Sequence, residues 1–248
     1  MIESRIEGPV GRITLARPEA HNALDREAMA ALTALLADWA GRNELRALVL
    51  TGRGRSFCAG AALGDVGAGD WTENPLTRLC DALEAFPVPT VAALNGGAYG
   101  GGVELALACD FRVGVTGMRA FAPPARLGIH YEPAGIRRAV DRLGSQAARR
   151  LFLLAETFEA EALLAMGFLD HLVAPEALET RVGEIAGRIA GLAPLAVRGM
   201  KQTILELGQN RLDAAAARER IATCFASADH AEGLAAQRER REPRFTGR

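Results

Sequence analysis

The stretch Thr90-Val-Ala-Ala-Leu-Asn-Gly-Gly-Ala-Tyr-Gly-Gly-Gly-Val-Glu-Leu-Ala-Leu-Ala-Cys-Asp110 decides how this chain folds. Its first five residues, Thr90 to Leu94, form an apolar run of strand length. They end at a glycine cluster, Asn95 to Gly102, and Val103 to Asp110 reads as a helix that follows directly. Glycines between a strand and a helix let the backbone come close to a ligand. The free N–H groups at the helix start attract developing negative charge. The cluster is not a dinucleotide fingerprint. Its glycines come too late, and no acidic residue ends a second strand about 20 residues on, as that motif requires. A tight strand-to-helix turn with no ligand is the plain alternative on this segment alone.

Toward the amino terminus, a second glycine-bearing loop, Gly52-Arg-Gly-Arg-Ser-Phe-Cys-Ala-Gly-Ala61, follows the apolar strand Ala47 to Leu50. Two strand ends delivering two Gly/Ala loops can set two backbone N–H groups against one oxygen, the geometry of an oxyanion hole. Before that strand, Ile2 to Arg17 alternates apolar and charged residues and reads as strand. Asp25 can cap a helix running to about Trp39, with Met29, Leu32, Leu35 and Leu36 on one face. After the cluster, Phe111 to Val115 and Arg119 to Phe121 are short strands. Beyond Pro133 the pattern is almost wholly helical, with starts at Ser145, Pro175, Pro194 and near Asp213.

Strand and helix alternate in the first half, and helices fill the last third. That order predicts an α/β core of stacked βαβ units, residues 1–190, with an appended helical region, residues 191–248, in one domain. The apolar stripe of that region (Leu195, Ile204, Leu207, Leu212, Ile221, Phe225) has little left to cover within one subunit, so it predicts association with further copies.

The composition bounds the function. Of 248 residues, 49% are apolar but only 5% aromatic, so the core is built from Ala, Leu, Val and Ile. The 29 basic and 30 acidic residues nearly cancel, which argues against nucleic acid or an anionic membrane as a partner. The first residues lack the apolar h-region of a signal peptide, and no run approaches the roughly 18 apolar residues of a membrane span. Four scattered cysteines without a CxxC pair fit free thiols in the cytoplasm. His21, His171 and His230 fall in separate elements, with no metal spacing.

Several pieces in order make the sequence recognisable: Arg17-Pro-Glu-Ala-His-Asn-Ala-Leu24, Ser56-Phe-Cys-Ala-Gly-Ala61, Pro87-Val-Pro-Thr90, Asn95 to Leu105, Cys109-Asp110, Leu127-Gly128, Ala165-Met-Gly-Phe-Leu169 and Arg240-Arg-Glu-Pro-Arg-Phe245. The chain resembles the enoyl-CoA hydratase/isomerase (crotonase) superfamily over nearly its whole length. The resemblance implies an α/β, ClpP/crotonase-like fold of stacked ββα units, with a C-terminal helical region building a homotrimer or homohexamer. It places the oxyanion-hole amides at Ala61 and Gly101 and one hydratase carboxylate at Glu104. It implies that an acyl-CoA substrate lies along Ala59, Gly60, Leu63, Gly64 and Asp65 and against Pro123, and that Arg240 or Arg241 approaches its phosphates. No cofactor is implied beyond the coenzyme A carried by the substrate.

Departures from the family pattern matter as much. The second hydratase glutamate normally follows a proline shortly before the Leu-Gly pair, and Pro124 stands there instead. The usual Gly-Ala-Asp of the first loop reads Gly60-Ala-Ala62. Within the family, Leu127-Gly-Ile-His-Tyr-Glu-Pro-Ala-Gly-Ile136 looks most like the methylmalonyl-CoA decarboxylase branch, which has a functional tyrosine where Tyr131 stands, although that branch usually carries histidine at the position of Ala61. The expectation is therefore an acyl-CoA lyase that decarboxylates a malonyl-type thioester, with Tyr131 orienting the departing carboxylate. Hydration or isomerisation of an enoyl-CoA is the alternative, with Glu132 able to replace the missing acid if its loop turns inward. A catalytically idle CoA-binding subunit is a second alternative.

Overall fold

The computed structural model describes residues 2–62 and 74–248. The amino-terminal alternating stretch is two strands and not one. Positive φ at Gly8 (57°) and the following Pro9 fold it into an antiparallel hairpin of β1 (Ile2–Glu7) and β2 (Val10–Leu15). β3 (Ala47–Gly52), β5 (Thr90–Leu94), β7 (Phe111–Val115) and β10 (His171–Val173) continue from β2, all parallel, in the order β1-β2-β3-β5-β7-β10. Every residue of β5 is buried, as expected for a parallel strand covered on both faces, which is why it reads as an unbroken apolar run.

A second sheet holds β4 (Ser56–Cys58), β6 (Gly97–Tyr99), β8 (Arg119–Phe121) and β9 (Phe158–Glu159), in the order β4-β6-β8-β9. The chain thus repeats a step: a strand in the large sheet, a three-residue strand in the small one, then a helix. β3 and β4 lead to α2 (Pro75–Glu84), and β5 and β6 lead to α3 (Gly101–Ala108). The units are ββα, as the family resemblance implies, and not the βαβ that periodicity suggests. Strands of three residues are too short to carry a period.

Three boundaries differ from the sequence reading. α3 begins at Gly101, two residues before Val103, and stops at Ala108, because Cys109 is extended (φ −75°, ψ 155°). Pro175 opens only a single 3₁₀ turn, and α7 starts at Leu178. The region beyond Pro133 includes β9 and β10 among its helices.

α1 (Arg26–Ala40) starts where Asp25 accepts from the Ala28 amide, and it buries Ala28, Met29, Leu32, Leu36 and Trp39. α4 (Pro133–Leu143), α5 (Ser145–Leu153), α6 (Ala160–Ala165) and α7 (Leu178–Ala190) complete the cover. One continuous core runs from Ile13 to Ile189. Three helices follow, α8 (Pro194–Gly208), α9 (Ala214–Ala226) and α10 (Ala228–Glu239). α8 is tied to the core by Lys201, whose ammonium donates to Asp110 Oδ2 at 2.6 Å and to the Val88 carbonyl at 3.0 Å. Among the described residues, no helix is long and apolar enough to cross a membrane.

The outer face of α8, α9 and the connection between them stays apolar and exposed: Ile204, Leu207, Leu212, Ile221 and Phe225 are each between 42% and 68% accessible. If this face joins subunits, light scattering on the purified protein gives the mass of a trimer or hexamer. A monomer at micromolar concentration contradicts that. Phe57, fully buried in β4, anchors the small sheet to the core. Phe57→Ala is predicted to lower the unfolding free energy by about 3–5 kcal/mol, read by denaturant titration.

Candidate active site

The loop pieces singled out in the sequence meet through one buried asparagine. Asn22, held at φ 57° and 1% exposed, donates from Nδ2 to the carbonyls of Ser56 (2.8 Å) and Arg53 (3.0 Å) and accepts from the Arg17 amide at 2.9 Å. Its own carbonyl receives the Cys58 thiol. Next along, the Ala59 amide donates to His21 O, the Leu24 amide to Gly60 O, and the Ala62 amide to Leu24 O. The Arg17 to Leu24 segment therefore acts as a clamp that fixes residues 59–62. The register between β4 and β6 shifts between Ser56 and Cys58, and that bulge re-aims the chain as it leaves β4.

The clamped loop lies directly on the start of α3. Gly60 has φ +82°, and a Cβ there would fall 2.4 Å from the Gly101 nitrogen. A Cβ on Gly101 would meet Leu76 Cδ2 at 2.4 Å and the Gly60 Cα at 3.3 Å. Among the described residues, neither the Ala61 nor the Gly101 amide donates to a backbone carbonyl. Gly101 is the first residue of α3, so its N–H is one of the helix's orphan donors. Two amides on touching backbone segments can therefore serve one oxygen, as the paired loops predict.

Glu104 sits one turn into α3 and is buried. Its Oε1 accepts from Arg138 Nη1 at 2.6 Å, and the Tyr131 ring lies beside the carboxylate, both of them within 3 Å of where a Cβ on Gly135 would stand. Arg138, on α4, is fully buried and also meets Asp81 and Glu84 of α2. Burial raises the Glu104 carboxyl above the usual carboxylate range, and the opposing pull of Arg138 and Tyr131 does not cancel it. Burial, reinforced by Glu104, likewise holds the Tyr131 phenol well above its ordinary value, so it stays a donor. Its ring packs on Phe152 with centroids 5.0 Å apart.

The structure thus brings together Ala59, Gly60, Ala61, Gly101 and Glu104. Pro123 joins them, since a Cβ on Gly100 would lie 3.6 Å from Ala59 O and 3.9 Å from Pro123 Cδ. Tyr131 joins too, its ring beside Glu104 at Gly135. Pro124 is buried at the start of a 3₁₀ turn (Pro124–Leu127) and offers no proton carrier. Glu132 precedes α4 without a capping bond, and among the described residues nothing bonds it to the Glu104 cluster. Leu63, Gly64 and Asp65, with most of the pocket wall from Val66 to Pro75, lie outside the described residues. Arg240 ends α10 in left-handed conformation (φ 55°), and no hydrogen bond or ion pair among the described residues links it to the paired amides. His130 is exposed, with its ring bonded to the Tyr131 carbonyl. Cys58 is inert lining, its thiol pushed up to about 12 by burial. No group of three or more His, Cys, Asp and Glu side chains is placed to hold a metal among the described residues.

Arg138 was invisible in the sequence reading, yet a signal exists. It shares the inward stripe of α4 with Gly135 and Ala139, and an arginine at such a position needs carboxylates across from it.

The Enoyl-CoA hydratase/isomerase family model matches residues 5–248. The chain is 36% identical over 242 residues to the Mycobacterium tuberculosis protein named "Probable enoyl-CoA hydratase echA6", covering 95% of each. It is 35% identical over 244 residues to the crotonyl-CoA hydratase of Syntrophomonas wolfei, covering 92% of this chain and 91% of that one. Its fold superposes on an enoyl-CoA hydratase from Bacillus anthracis with a TM-score of 0.90 at 28% identity, covering 100% of this chain and 99% of the other.

A methyl group on Gly60 would sit on the Gly101 amide, so Gly60→Ala is predicted to lower kcat by about 10²–10³, the cost of one oxyanion donor. Turnover within a few-fold of the parent would mean that the two amides do not share an oxygen.

Proposed function

The chain belongs to the enoyl-CoA hydratase/isomerase family, and from that premise we propose that it is an enoyl-CoA hydratase or isomerase acting on a 2-enoyl-CoA, with Glu104 as its single proton-carrying carboxylate. The observation that supports this is a lone buried carboxylate on the same helix as the Gly101 amide, with proline where a second acid would stand.

In this reading the thioester oxygen lies between the N–H groups of Ala61 and Gly101. As a proton leaves the acyl chain, charge gathers on that oxygen, and the two fixed dipoles stabilise it without reorganising. One carboxylate completes a double-bond shift unaided: Glu104 removes the proton at C4 of a 2-enoyl-CoA, the dienolate forms, and the same carboxyl returns the proton at C2 to give the 3-enoyl thioester. Hydration asks more, because water must lose a proton while C2 gains one. With Pro124 in place, Glu104 would have to perform both transfers. The name of the S. wolfei relative favours hydration; the single carboxylate favours isomerisation.

Decarboxylation of a malonyl-type thioester is the second reading, and the specific observation for it is again Pro124, since loss of carbon dioxide needs no base. Against it stand the names of the relatives, a probable enoyl-CoA hydratase and a crotonyl-CoA hydratase. The coenzyme A moiety is part of the substrate, and the reading requires no cofactor or metal. In the carboxy-terminal segment, Arg241 is tied to Glu232 and Glu239, while Arg240 has no ion-pair partner among the described residues. Arg240 is thus the tail residue open to CoA phosphates.

Mass spectrometry on 2-enoyl-, 3-enoyl-, malonyl- and methylmalonyl-CoA in excess chelator and deuterated water tests the reading. Deuterium should enter the enoyl substrates at C2 or C4, and Glu104→Gln should cut that by about 10²-fold or more. Loss of carbon dioxide from methylmalonyl-CoA with enoyl thioesters untouched would overturn it, and binding without any turnover would favour the idle-subunit alternative. The pH dependence has a definite sign. Glu104 must start ionised and its carboxyl is held above the usual range, so kcat/KM falls as pH drops through a value above that of an ordinary glutamate.

A further inference from the structure

We propose that Asp81, on the surface of α2, is a positioning residue that weights the ionisation of Glu104 through the buried guanidinium of Arg138. The proposal rests on Glu104 being the proton carrier of the reaction above.

Arg138 is a fork with three tines occupied. Nη1 holds Glu104 Oε1 at 2.6 Å, Nε reaches Glu84 Oε2 at 3.3 Å, and Nη2 bonds Asp81. These three demands are unequal. Glu84 has other donors, Arg137 Nη2 at 2.7 Å and Gln209 Nε2 at 3.3 Å, so it draws little from Arg138. Asp81 has no other side-chain partner among the described residues, and neither it nor Glu104 has a second cation. The two compete for one guanidinium, which stays protonated at any working pH.

The competitors differ in setting. The Asp81 side chain is 56% accessible, whereas that of Glu104 is 3% accessible. Glu104 is packed closely on α4, since a Cβ on Gly135 would lie 2.8 Å from its Oε2 and 2.5 Å from the Tyr131 ring. The other groups facing it are the neutral Cys80 thiol and Tyr131 phenol, with Arg137 and Asp141 paired beyond Glu84. Four carboxylates (Asp81, Glu84, Glu104, Asp141) thus surround two guanidiniums. Removing the charge most exposed to solvent leaves Arg138 more fully to Glu104. Ionised Glu104 is then favoured, and the base persists to lower pH.

The experiment is a kcat/KM pH profile on Asp81→Asn, with the titration of Glu104 followed in ligand-free protein by carbon-13 NMR of carboxyl-labelled glutamate, its signal identified by its loss in Glu104→Gln. Asp81 is exposed, so the variant folds. Its acid limb and its Glu104 titration should both move to lower pH, with KM within about twofold of the parent. A second variant, Asp81→Asn with Ala85→Asp, returns a negative charge one helical turn away without touching the fork. It should keep the shifted titration. An unmoved titration in Asp81→Asn, or full return to the parent value in the double variant, overturns the proposal. Absence of turnover on every thioester would sink the reaction assigned to Glu104, while the NMR titration would still decide the coupling.

Discussion

The backbone of Gly60 lies so close to the Gly101 amide that no side chain fits between them. Most of the molecule can be understood as a means of holding that approach. The Asn22 bonds, the Leu24 bridge to Ala61 and the bulge in β4 fix one side. The β5–β6–α3 step of the double sheet fixes the other, and it delivers an orphan helix amide to the contact. Two N–H dipoles held this way cost nothing to orient when charge develops, which is what distinguishes a preorganised site from solvent.

Around that contact the fold accepts an expensive arrangement. A guanidinium with no solvent access is surrounded by carboxylates, and breaking such a set leaves an uncompensated charge worth about 3–5 kcal/mol. Arg138 recovers part of its desolvation through short, charge-assisted bonds, and Glu104 gains a fixed rotamer from the same bonds. Burial raises the proton affinity of Glu104 while Arg138 keeps the ionised form within reach. A proton carrier, the role proposed for Glu104, needs both, since it must take a proton and then release it.

The strands β3, β5 and β7 and the glycine cluster were legible because each is a local signal, apolar runs of strand length and glycines where backbones meet, whereas β10, three residues in a helical stretch, was not. Ala61, Gly101 and Glu104 were legible from their place in those signals and from the family resemblance. Of the small sheet only β8 was read, at Arg119 to Phe121, because β4 and β6 are three residues each beside glycine loops and β9 only two. Asn22 and Arg138 could not be ranked from sequence, since their weight comes from partners 31 to 57 residues away. Tyr131 was found from the family resemblance. Sequence order placed it near the site, whereas only the packing of α4 against α3 shows that its ring and the Glu104 carboxylate meet beside Gly135.

The account stands or falls on whether two amides grip the thioester oxygen. Isotope-edited infrared difference spectroscopy of a carbon-13 thioester carbonyl, bound as a slow 2-enoyl-CoA analogue, reads this directly. Hydrogen bonds from both Ala61 and Gly101 should move the carbonyl stretch to lower frequency than in water, and Gly60→Ala should reverse most of that displacement. A bound carbonyl whose stretch matches that of the free thioester, in parent and variant alike, would contradict it.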